Sequence, residues 1–170
     1  MTQFAGKLVA PLLMLITALS GCTTLPPKAE DAGIDIAVFI QKYGAPFTVI
    51  QSGSGKRLVY RTGPFGEETY FVDADLNGRI MAWQQVLTED NFKKVQPNMP
   101  AQAVMDLLGP CSETRSLARN RGSVCSYRYH SPFCQWFSIE ITAEGFVRSA
   151  GYLPDPRCDD KRFGLFRFQF

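Results

Sequence analysis

Residues 70–80 read YFVDADLNGRI, and residues 137–147, which lie 67 residues further along the chain, repeat the same pattern as FSIEITAEGFV. In each stretch apolar side chains alternate with other residues up to a turn that contains Gly78 or Gly145, and an apolar residue follows that turn. Alternation with a period of two predicts a strand with one buried face, and the turn predicts an antiparallel hairpin. Because matching turns and matching apolar positions share one offset, the sequence predicts a tandem duplication.

A helix pattern precedes the strand patterns in each half. In the first half it begins after Asp35 and stops at Gly44; in the second it stops at Gly109, and a shorter helical turn at 88–95 comes before it. Four strand patterns follow each time, at 47–51, 57–62, 69–76 and 79–87 and then at 113–117, 123–129, 134–142 and 146–153. The sequence therefore predicts an α+β fold of two tandem repeats, 35–87 and 88–158, each with short helices packed on one face of a four-stranded antiparallel meander.

The first 22 residues have the features of a bacterial export signal. One basic residue, Lys7, precedes an apolar run that is too short to cross a bilayer. The run ends in LSGC, whose last residue is Cys22, and this resembles the lipobox of bacterial lipoproteins, in which the cysteine is acylated and becomes the first residue of the mature protein. An ordinary secretory signal is the alternative. The lipobox implies a signal peptide at 1–21 and, at 22–34, a polar and flexible tether between the lipid and the fold.

Charge and cysteine content limit the kinds of partner and site. The 18 Lys and Arg residues and 16 Asp and Glu residues give a net charge of +2, so nothing in the composition indicates nucleic acid. With Cys22 assigned to lipid, the four remaining cysteines favour two disulfides in an oxidising compartment. We expect the pairs Cys111–Cys125 and Cys134–Cys158, since each joins neighbouring strands or a strand and the following segment. A zinc site is the alternative, although the chain has a single histidine.

A longer resemblance covers both halves. The motif FKKVQPNMPAQAVMDLLGP at 92–110 resembles the signature of the BamE family, also called SmpA/OmlA, which are small outer-membrane lipoproteins. Asn98 replaces the family's glycine, and Pro100 replaces its Ser or Thr. The aromatic strand, turn and Val/Ile strand of the family are matched at 70–80 and again at 137–147. The resemblance implies two helices against a small antiparallel sheet in each unit.

Two non-catalytic functions are consistent with these resemblances. The BamE likeness implies a lipid-anchored scaffold or accessory subunit of the outer membrane, facing the periplasm, which binds a protein partner in envelope assembly or integrity. Thr23, after the lipid cysteine, agrees with the lipoprotein rule for sorting to the outer membrane. Tandem copies also resemble the β-lactamase-inhibitor-protein architecture, which implies a periplasmic inhibitor or ligand-binding module that uses the concave face of a tandem sheet. No catalytic motif, cofactor or small-molecule substrate is indicated, so we expect no enzyme.

A calcium site is a third alternative. Asp73, Asp75 and Asn77, followed by Gly78, reproduce the front half of an EF-hand loop, in which alternate oxygen atoms surround a hard cation. Gln84 occupies the position of the bidentate carboxylate, and the flanking residues alternate as in strands. A hairpin turn with solvent-facing acids is therefore favoured.

Two groups of side chains are candidate contact surfaces. Four arginines surround one predicted hairpin: Arg115, Arg119, Arg121 and Arg128. They either contact anionic lipid heads or an acidic partner, or they form a rim that is exposed to water. In the aromatic tail, 159–170, three rings alternate with polar residues: Phe166, Phe168 and Phe170. These rings either cover the protein's own sheet as an extra strand or strap, or they dock on a partner or into the bilayer next to the lipid.

Replacing Cys22 with Ala tests the location. We expect the variant to take up no labelled fatty acid and to remain as a soluble periplasmic form or an uncleaved precursor, because the acylated side chain is missing. Metabolic labelling followed by fractionation measures both results. Labelling equal to that of the unchanged protein would remove the basis for a lipid anchor.

Overall fold

The computed structural model describes residues 25–63 and 66–157. The first repeat contains, in chain order, α1 (Ile36–Tyr43), β1 (Thr48–Ser52), β2 (Gly55–Thr62), β3 (Glu68–Ala74) and β4 (Ile80–Gln85). The second contains α2 (Glu89–Phe92), α3 (Ala101–Leu108), β5 (Glu113–Ser116), β6 (Ser123–Arg128), β7 (Gln135–Ile141) and β8 (Val147–Pro154). Each set of four strands forms its own antiparallel sheet in sequence order. The predicted α+β fold of two tandem repeats is confirmed.

The two repeats close the ends of their helices in the same way. Tyr60 donates its hydroxyl to the carbonyl oxygen of Gly44 at 2.9 Å, and Tyr127 donates to the carbonyl oxygen of Gly109 at 3.0 Å. Both glycines have a positive φ, which lets the chain leave the helix toward the next strand. Burial raises the pKa of Tyr60 to about 12, so its hydroxyl stays protonated and able to donate.

The two helices also begin in the same way, and the spacing between helix and turn shows where the repeats differ in length. The N–H of Ile36 donates to the carbonyl oxygen of Gly78 at 2.9 Å, and the N–H of Ala101 donates to that of Gly145 at 2.8 Å. The helix positions differ by 65 residues and the turn positions by 67. The two additional residues lie in the connection between β5 and β6. Four residues, 118–121, separate the hydrogen-bonded Leu117 and Gly122, whereas two residues, 53 and 54, separate the equivalent pair of Ser52 and Gly55.

Helix α1 covers one face of the first sheet. Phe39 is fully buried under it, and its ring lies 5.8 Å from that of Tyr60 in an edge-to-face arrangement. Asp35 caps the helix start by accepting the Ala37 N–H at 2.8 Å. The buried members of this first core are Phe39, Leu58, Tyr60, Tyr70, Val72, Ala74 and Ile80.

The opposite face of the first sheet is covered by the second repeat. Val59 and Phe71, which alternate with the residues that face α1, belong to one buried cluster with Val104 and Leu108 of α3. The same cluster contains Tyr127 and its neighbours on the inner face of the second sheet. The molecule is therefore a stack of four layers: α1, the first sheet, α2 with α3, and the second sheet. None of the helices in the described ranges is long and apolar enough to cross a membrane.

Gly55 and Gly122 occupy equivalent points where the backbone passes too close to a neighbouring strand for any side chain. A Cβ atom would lie 2.0 Å from the carbonyl oxygen of Ala74 at Gly55 and 1.9 Å from that of Ile141 at Gly122. Both glycines have a positive φ, and β3 and β7 each carry a register shift beside the contact. Glycine is required at both positions because a Cβ atom would overlap the neighbouring backbone and because φ is positive.

The structure differs from the predicted tether over residues 25–34. Leu25 and Ile34 pack against the first core, and Pro27 is buried. A 3₁₀ turn at Ala29–Asp31 joins this segment to the region before α1. The fold therefore begins well before residue 35, because apolar residues within the polar segment find places beside α1.

Replacing Gly122 with Ala tests the close approach. We expect a loss of about 3 kcal/mol or more in the free energy of unfolding, since the Cβ would overlap a backbone oxygen. Gly145→Ala is the matched control: its φ is also positive, but nothing lies within 4 Å of the added Cβ, so we expect about 1 kcal/mol. Urea denaturation measures both. Equal losses would show that backbone conformation, and not contact, selects glycine at 122.

Candidate functional site

Asp31 fastens the segment before α1 to the end of that helix. Its side chain is almost fully buried, and it accepts hydrogen bonds from Lys42 Nζ and from the Tyr43 hydroxyl, each at 2.6 Å. The backbone N–H of Lys28 donates to the same carboxylate at 2.7 Å. Burial acts to raise the pKa of Asp31, but these hydrogen bonds outweigh it and hold the pKa below 3.8. A charged carboxylate therefore locks residues 28–31 to the helix.

This lock shortens the link between the fold and the predicted lipid. Cys22 lies outside the described residues, three positions before Leu25, which packs against the first core. Three residues span at most about 10 Å when fully extended. A lipid on Cys22 would thus hold the fold close to a membrane surface and restrict the part of the molecule that faces it.

The connections between strands define two ends of the molecule. Leu25 lines a cleft of about 450 Å³ together with Thr62 and Gly63, where β2 leads to β3. Arg157, just after β8, pairs with Glu67 of that connection at 3.3 Å between Nη2 and Oε1. The β6–β7 connection lies at the same end, since its Cys134 accepts the N–H of Asp155. We call this the anchor end, and we call the opposite end, with the β1–β2, β3–β4, β5–β6 and β7–β8 connections, the hairpin end.

The structure divides the four predicted arginines between these ends. Arg115 on β5 and Arg119 and Arg121 in the β5–β6 connection are exposed at the hairpin end, and none forms an ion pair with a described carboxylate. Arg128 lies at the other end of β6, about 20 Å away along the strand. Its guanidinium stacks on the Trp136 ring, 4.6 Å from the ring centroid.

Arg148 joins the arginines of the hairpin end, although no sequence motif includes it. It lies on β8, and its Nη2 contacts the carbonyl oxygen of Arg121 at 3.4 Å. Its Nη1 is hydrogen-bonded to Glu140 of β7. Only the pairing of β7 with β8 brings it beside the β5–β6 connection. The arginine group of the hairpin end is Arg115, Arg119, Arg121 and Arg148.

The outer face of the second sheet is polar at its centre. Ser126 and Ser138 are hydrogen-bonded to each other at 2.9 Å between their hydroxyl oxygens. Their equivalents in the first sheet, at an offset of 67, are Val59 and Phe71, which α3 covers. The equivalent positions therefore differ between the repeats: apolar side chains pack under α3 in the first, and a buried pair of hydroxyl groups takes their place in the second.

The acidic residues of the calcium alternative make contacts within a hairpin. Asp73 forms two hydrogen bonds with Arg57, at 2.6 and 2.9 Å. Asp75 turns inward and accepts the backbone N–H groups of Asn77 and Arg79 at 2.9 and 2.8 Å. These contacts make residues 73–80 a strand, a turn and a strand, which is the hairpin that the sequence favoured. Within 25–63 and 66–157, no three His, Cys, Asp or Glu side chains are placed to hold a metal ion.

The cysteines follow the disulfide prediction as far as the structure describes them. Cys111 and Cys125 form a disulfide, with their Cα atoms 5.5 Å apart. This bond joins the segment after α3 to the centre of β6. Cys134 is also disulfide-bonded, and its predicted partner, Cys158, lies outside the described residues.

One carboxylate contact was not foreseen from the sequence. Glu89, at the start of α2, accepts hydrogen bonds from the hydroxyls of Tyr129, at 3.0 Å, and Tyr152. Burial and the bond to Glu89 raise the pKa of Tyr152. Beside them the rings of Phe92 and Phe137 stack at 4.3 Å. The contact attaches α2 to the second sheet, and no local pattern in the sequence indicates it because its members are up to 63 residues apart.

The concave face of the inhibitor alternative is not formed. The eight described strands make two separate sheets, and the first sheet is covered on both sides by helices. A continuous eight-stranded surface would need the two sheets to meet edge to edge, whereas α3 packs between them. The predicted contact residues of the aromatic tail, Phe166, Phe168 and Phe170, lie outside the described residues.

Comparison with known proteins places few limits on function. No family model matches the chain, and no curated protein matches it significantly. One similar structure is described as a putative osmotically inducible lipoprotein OsmE, with 23% identity over 50% of this chain and 93% of that one, and a TM-score of 0.36. Another is an extracellular protein containing a SCP domain from Bacillus anthracis str. Ames, with 13% identity over 82% of this chain and 51% of that one, and a TM-score of 0.29. With TM-scores this low, neither likeness bears on the function of this chain.

Replacing Asp31 with Asn tests the lock. Because the folded-state pKa of Asp31 is lowered, its charge stabilises the fold above its unfolded-state pKa, near 3.8, and this contribution is lost as the pH falls through the folded-state value. We expect Asp31→Asn to lower the melting temperature by several degrees at pH 7 and by less near pH 3. Asp35→Asn is the control, since asparagine also caps helices well. A melting-temperature difference that does not change with pH would contradict a charged lock.

Proposed function

We propose that this protein is a lipid-anchored component of the bacterial outer membrane, facing the periplasm, that acts as a non-catalytic scaffold or accessory subunit in envelope assembly or integrity. The LSGC motif at Cys22 supports the anchor. The disulfide between Cys111 and Cys125 agrees with export to an oxidising compartment. The palmitate and other acyl chains of such an anchor would hold it permanently, because two or more chains bind a bilayer stably.

The observation that carries the proposal is the separation of the anchor from the arginine group. Leu25, three residues after the predicted anchor, lies at one end of the molecule. The exposed Arg115, Arg119 and Arg121 lie at the other end. A short link keeps the anchor end near the lipid and leaves the hairpin end, at the far end of the strands, accessible to an acidic protein partner in the aqueous compartment.

The difference in length between the repeats also supports the hairpin end as the partner surface. The additional residues of the second repeat lie in the β5–β6 connection, which carries Arg119 and Arg121. At the starts and ends of α1 and α3 the two backbones make equivalent hydrogen bonds. An insertion confined to one exposed connection changes the surface without changing the core, as expected for a binding site carried on a rigid scaffold.

The described carboxylates with strong contacts also support a structural function. Asp31 holds the segment before α1, Asp73 pairs with Arg57, and Asp155 pairs with Arg157 at 2.6 Å. The first two contacts each join two parts of the fold, and the third holds Arg157, which also pairs with the distant Glu67. The same use of charge is seen at Glu89, which accepts from two tyrosines.

Crosslinking in cells followed by affinity purification tests the partner surface. We expect Arg119→Glu with Arg121→Glu to lower recovery of the crosslinked partner by about tenfold or more, because acidic side chains would repel an acidic partner. Lys93→Glu with Lys94→Glu, on exposed residues after α2, makes the same change of charge elsewhere and should leave recovery unchanged.

Three results of this experiment separate the alternatives. Barrel-assembly or other envelope components recovered with the native chain, and lost with the arginine variant, support the proposal. Recovery of a single soluble enzyme would favour the inhibitor module instead. Equal recovery with both charge-changed variants would place the partner site away from the hairpin end.

A further inference from the structure

The cleft at the anchor end has a lining that is partly apolar and partly charged. Its volume is about 450 Å³, and it lies beside Leu25. Leu25 and the ring of Tyr60 supply apolar surface, whereas the half-buried Arg61 and Glu68 supply charge. The other lining residues are Tyr43, Ala45, Thr62 and Gly63. None of these residues belongs to the arginine group, so the cleft is a separate surface at the opposite end of the molecule.

Arg61 and Glu68 bring opposite charges to the cleft without pairing with each other. In the pairing of β2 with β3 they are one position out of register, so their side chains leave opposite faces of the sheet. Among residues 25–63 and 66–157, neither side chain forms an ion pair. The Glu68 carboxylate accepts the Thr62 hydroxyl at 2.8 Å, and the Arg61 guanidinium lies 5.0 Å from the ring centroid of Phe47. Both charges therefore remain available to a ligand.

A ligand that carries both charges fits this pair of side chains. A guanidinium binds phosphate through two parallel N–H donors, and a carboxylate accepts hydrogen bonds from a primary ammonium group. A ligand with phosphate alone would meet repulsion from Glu68 in the same cleft. The headgroup of phosphatidylethanolamine combines one phosphate with one primary ammonium, so it complements both Arg61 and Glu68.

The short link to the predicted anchor favours a membrane lipid as the source of this headgroup. Cys22 lies three residues before Leu25, and three residues span at most about 10 Å, so a lipid on Cys22 would hold the cleft close to the membrane surface. Phe47, just before β1, lies at the same end and is 59% exposed. An exposed ring beside a guanidinium suits the boundary between headgroups and acyl chains, where the ring enters the apolar region.

From these observations we propose that the cleft at the anchor end binds the headgroup of phosphatidylethanolamine. Arg61 binds the phosphate, Glu68 accepts hydrogen bonds from the ammonium group, and the ring of Phe47 enters the adjoining acyl region. This inference rests on the proposed function, because it takes a lipid-anchored protein as its starting point. A headgroup in the cleft gives the anchor end a second attachment to the membrane, which restricts rotation of the fold about its lipid.

Vesicle flotation without the lipid anchor tests this site. The whole chain from residue 22 to residue 170, with Cys22→Ser and exported behind a cleavable secretory signal, is mixed with vesicles of phosphatidylcholine, with or without phosphatidylethanolamine. We expect phosphatidylethanolamine to strengthen binding by about tenfold, because a primary ammonium donates hydrogen bonds to a carboxylate and a quaternary one has no N–H to donate. Neither lipid adds net charge, so general attraction between charges does not produce this difference.

Two variants separate the contributions of the charges. Glu68→Gln keeps the size of the side chain and an oxygen that accepts the Thr62 hydroxyl, but it removes the negative charge. We expect it to abolish the preference for phosphatidylethanolamine and to leave binding to phosphatidylcholine alone nearly unchanged. Arg61→Gln should weaken binding to both kinds of vesicle by about tenfold, because the phosphate loses its charged donors.

A matched control and a stability measurement complete the test. Lys56→Gln removes a positive charge from the other end of the same strand, β2, and should leave vesicle binding unchanged. All three variants should keep the melting temperature of the unchanged protein, since none of the altered side chains is fully buried. If Arg61→Gln melts several degrees lower, Glu68→Gln still decides the result, because it preserves the shape of the side chain.

The outcomes distinguish this inference from the proposed function. Equal binding to the two kinds of vesicle, or no binding to either, would overturn the inference. A preference for phosphatidylethanolamine that Glu68→Gln retains would also overturn it, because the ammonium group would then not be recognised in the cleft. Partner recovery in cells is a separate measurement on the hairpin end, so the cleft can fail as a lipid site while the hairpin end still binds its partner.

Discussion

The position of α3 between the two sheets is the constraint on which the rest of the structure depends. Val104 and Leu108 belong to one buried cluster with Val59 and Phe71 of the first sheet and with Tyr127 of the second. An eight-residue helix has little stability of its own, so both sheets are needed to hold it. In turn, the first sheet needs α3 to cover a face that would otherwise expose a continuous apolar surface. The two repeats are therefore one folding unit with a shared core.

Sharing a core explains how equivalent positions came to differ. A face that is apolar at Val59 and Phe71 is polar at Ser126 and Ser138, because the first sheet has a following repeat to cover it and the second does not have one within the described chain. Positions that face each repeat's own helix remain alike, as Tyr60 and Tyr127 illustrate. The residues that surround a position, and not its place within the repeat, therefore determine whether its side chain is apolar or polar.

Charged side chains hold the chain segments before α1 and after β8 in fixed positions. Asp31 anchors the chain before α1, and the Asp155–Arg157–Glu67 contacts anchor the chain after β8 at the same end. Surface ion pairs contribute little to stability on average, but a buried carboxylate with several donors holds a segment in one place. These contacts place the starts of both terminal segments at one end of the fold, and the arginine group lies at the other end.

The amino-acid sequence by itself determined the local features, because each of them follows from neighbouring residues. Period-two alternation at 70–80 and 137–147 determined the strands, Asp35 and Gly44 determined the bounds of the first helix, and a common offset of 67 revealed the repeat. The flanks of the turn at Asp73–Gly78 alternate as strands, so the sequence favoured a hairpin over a calcium loop. The bonds of Asp75 to the turn backbone and of Asp73 to Arg57 agree with that hairpin.

Only the tertiary structure decided how these parts combine. The sequence pattern of α3 indicates one apolar face, but it cannot say that both sheets use the helix, since that depends on side chains about 45 residues away at Val59. The polar composition of residues 22–34 indicated a tether, and burial of Asp31 against Lys42 and Tyr43 overrode it over residues 25–34. The four arginines are close in sequence, yet β6 carries Arg128 to the opposite end from Arg121, because an extended strand separates residues that a turn would have kept together.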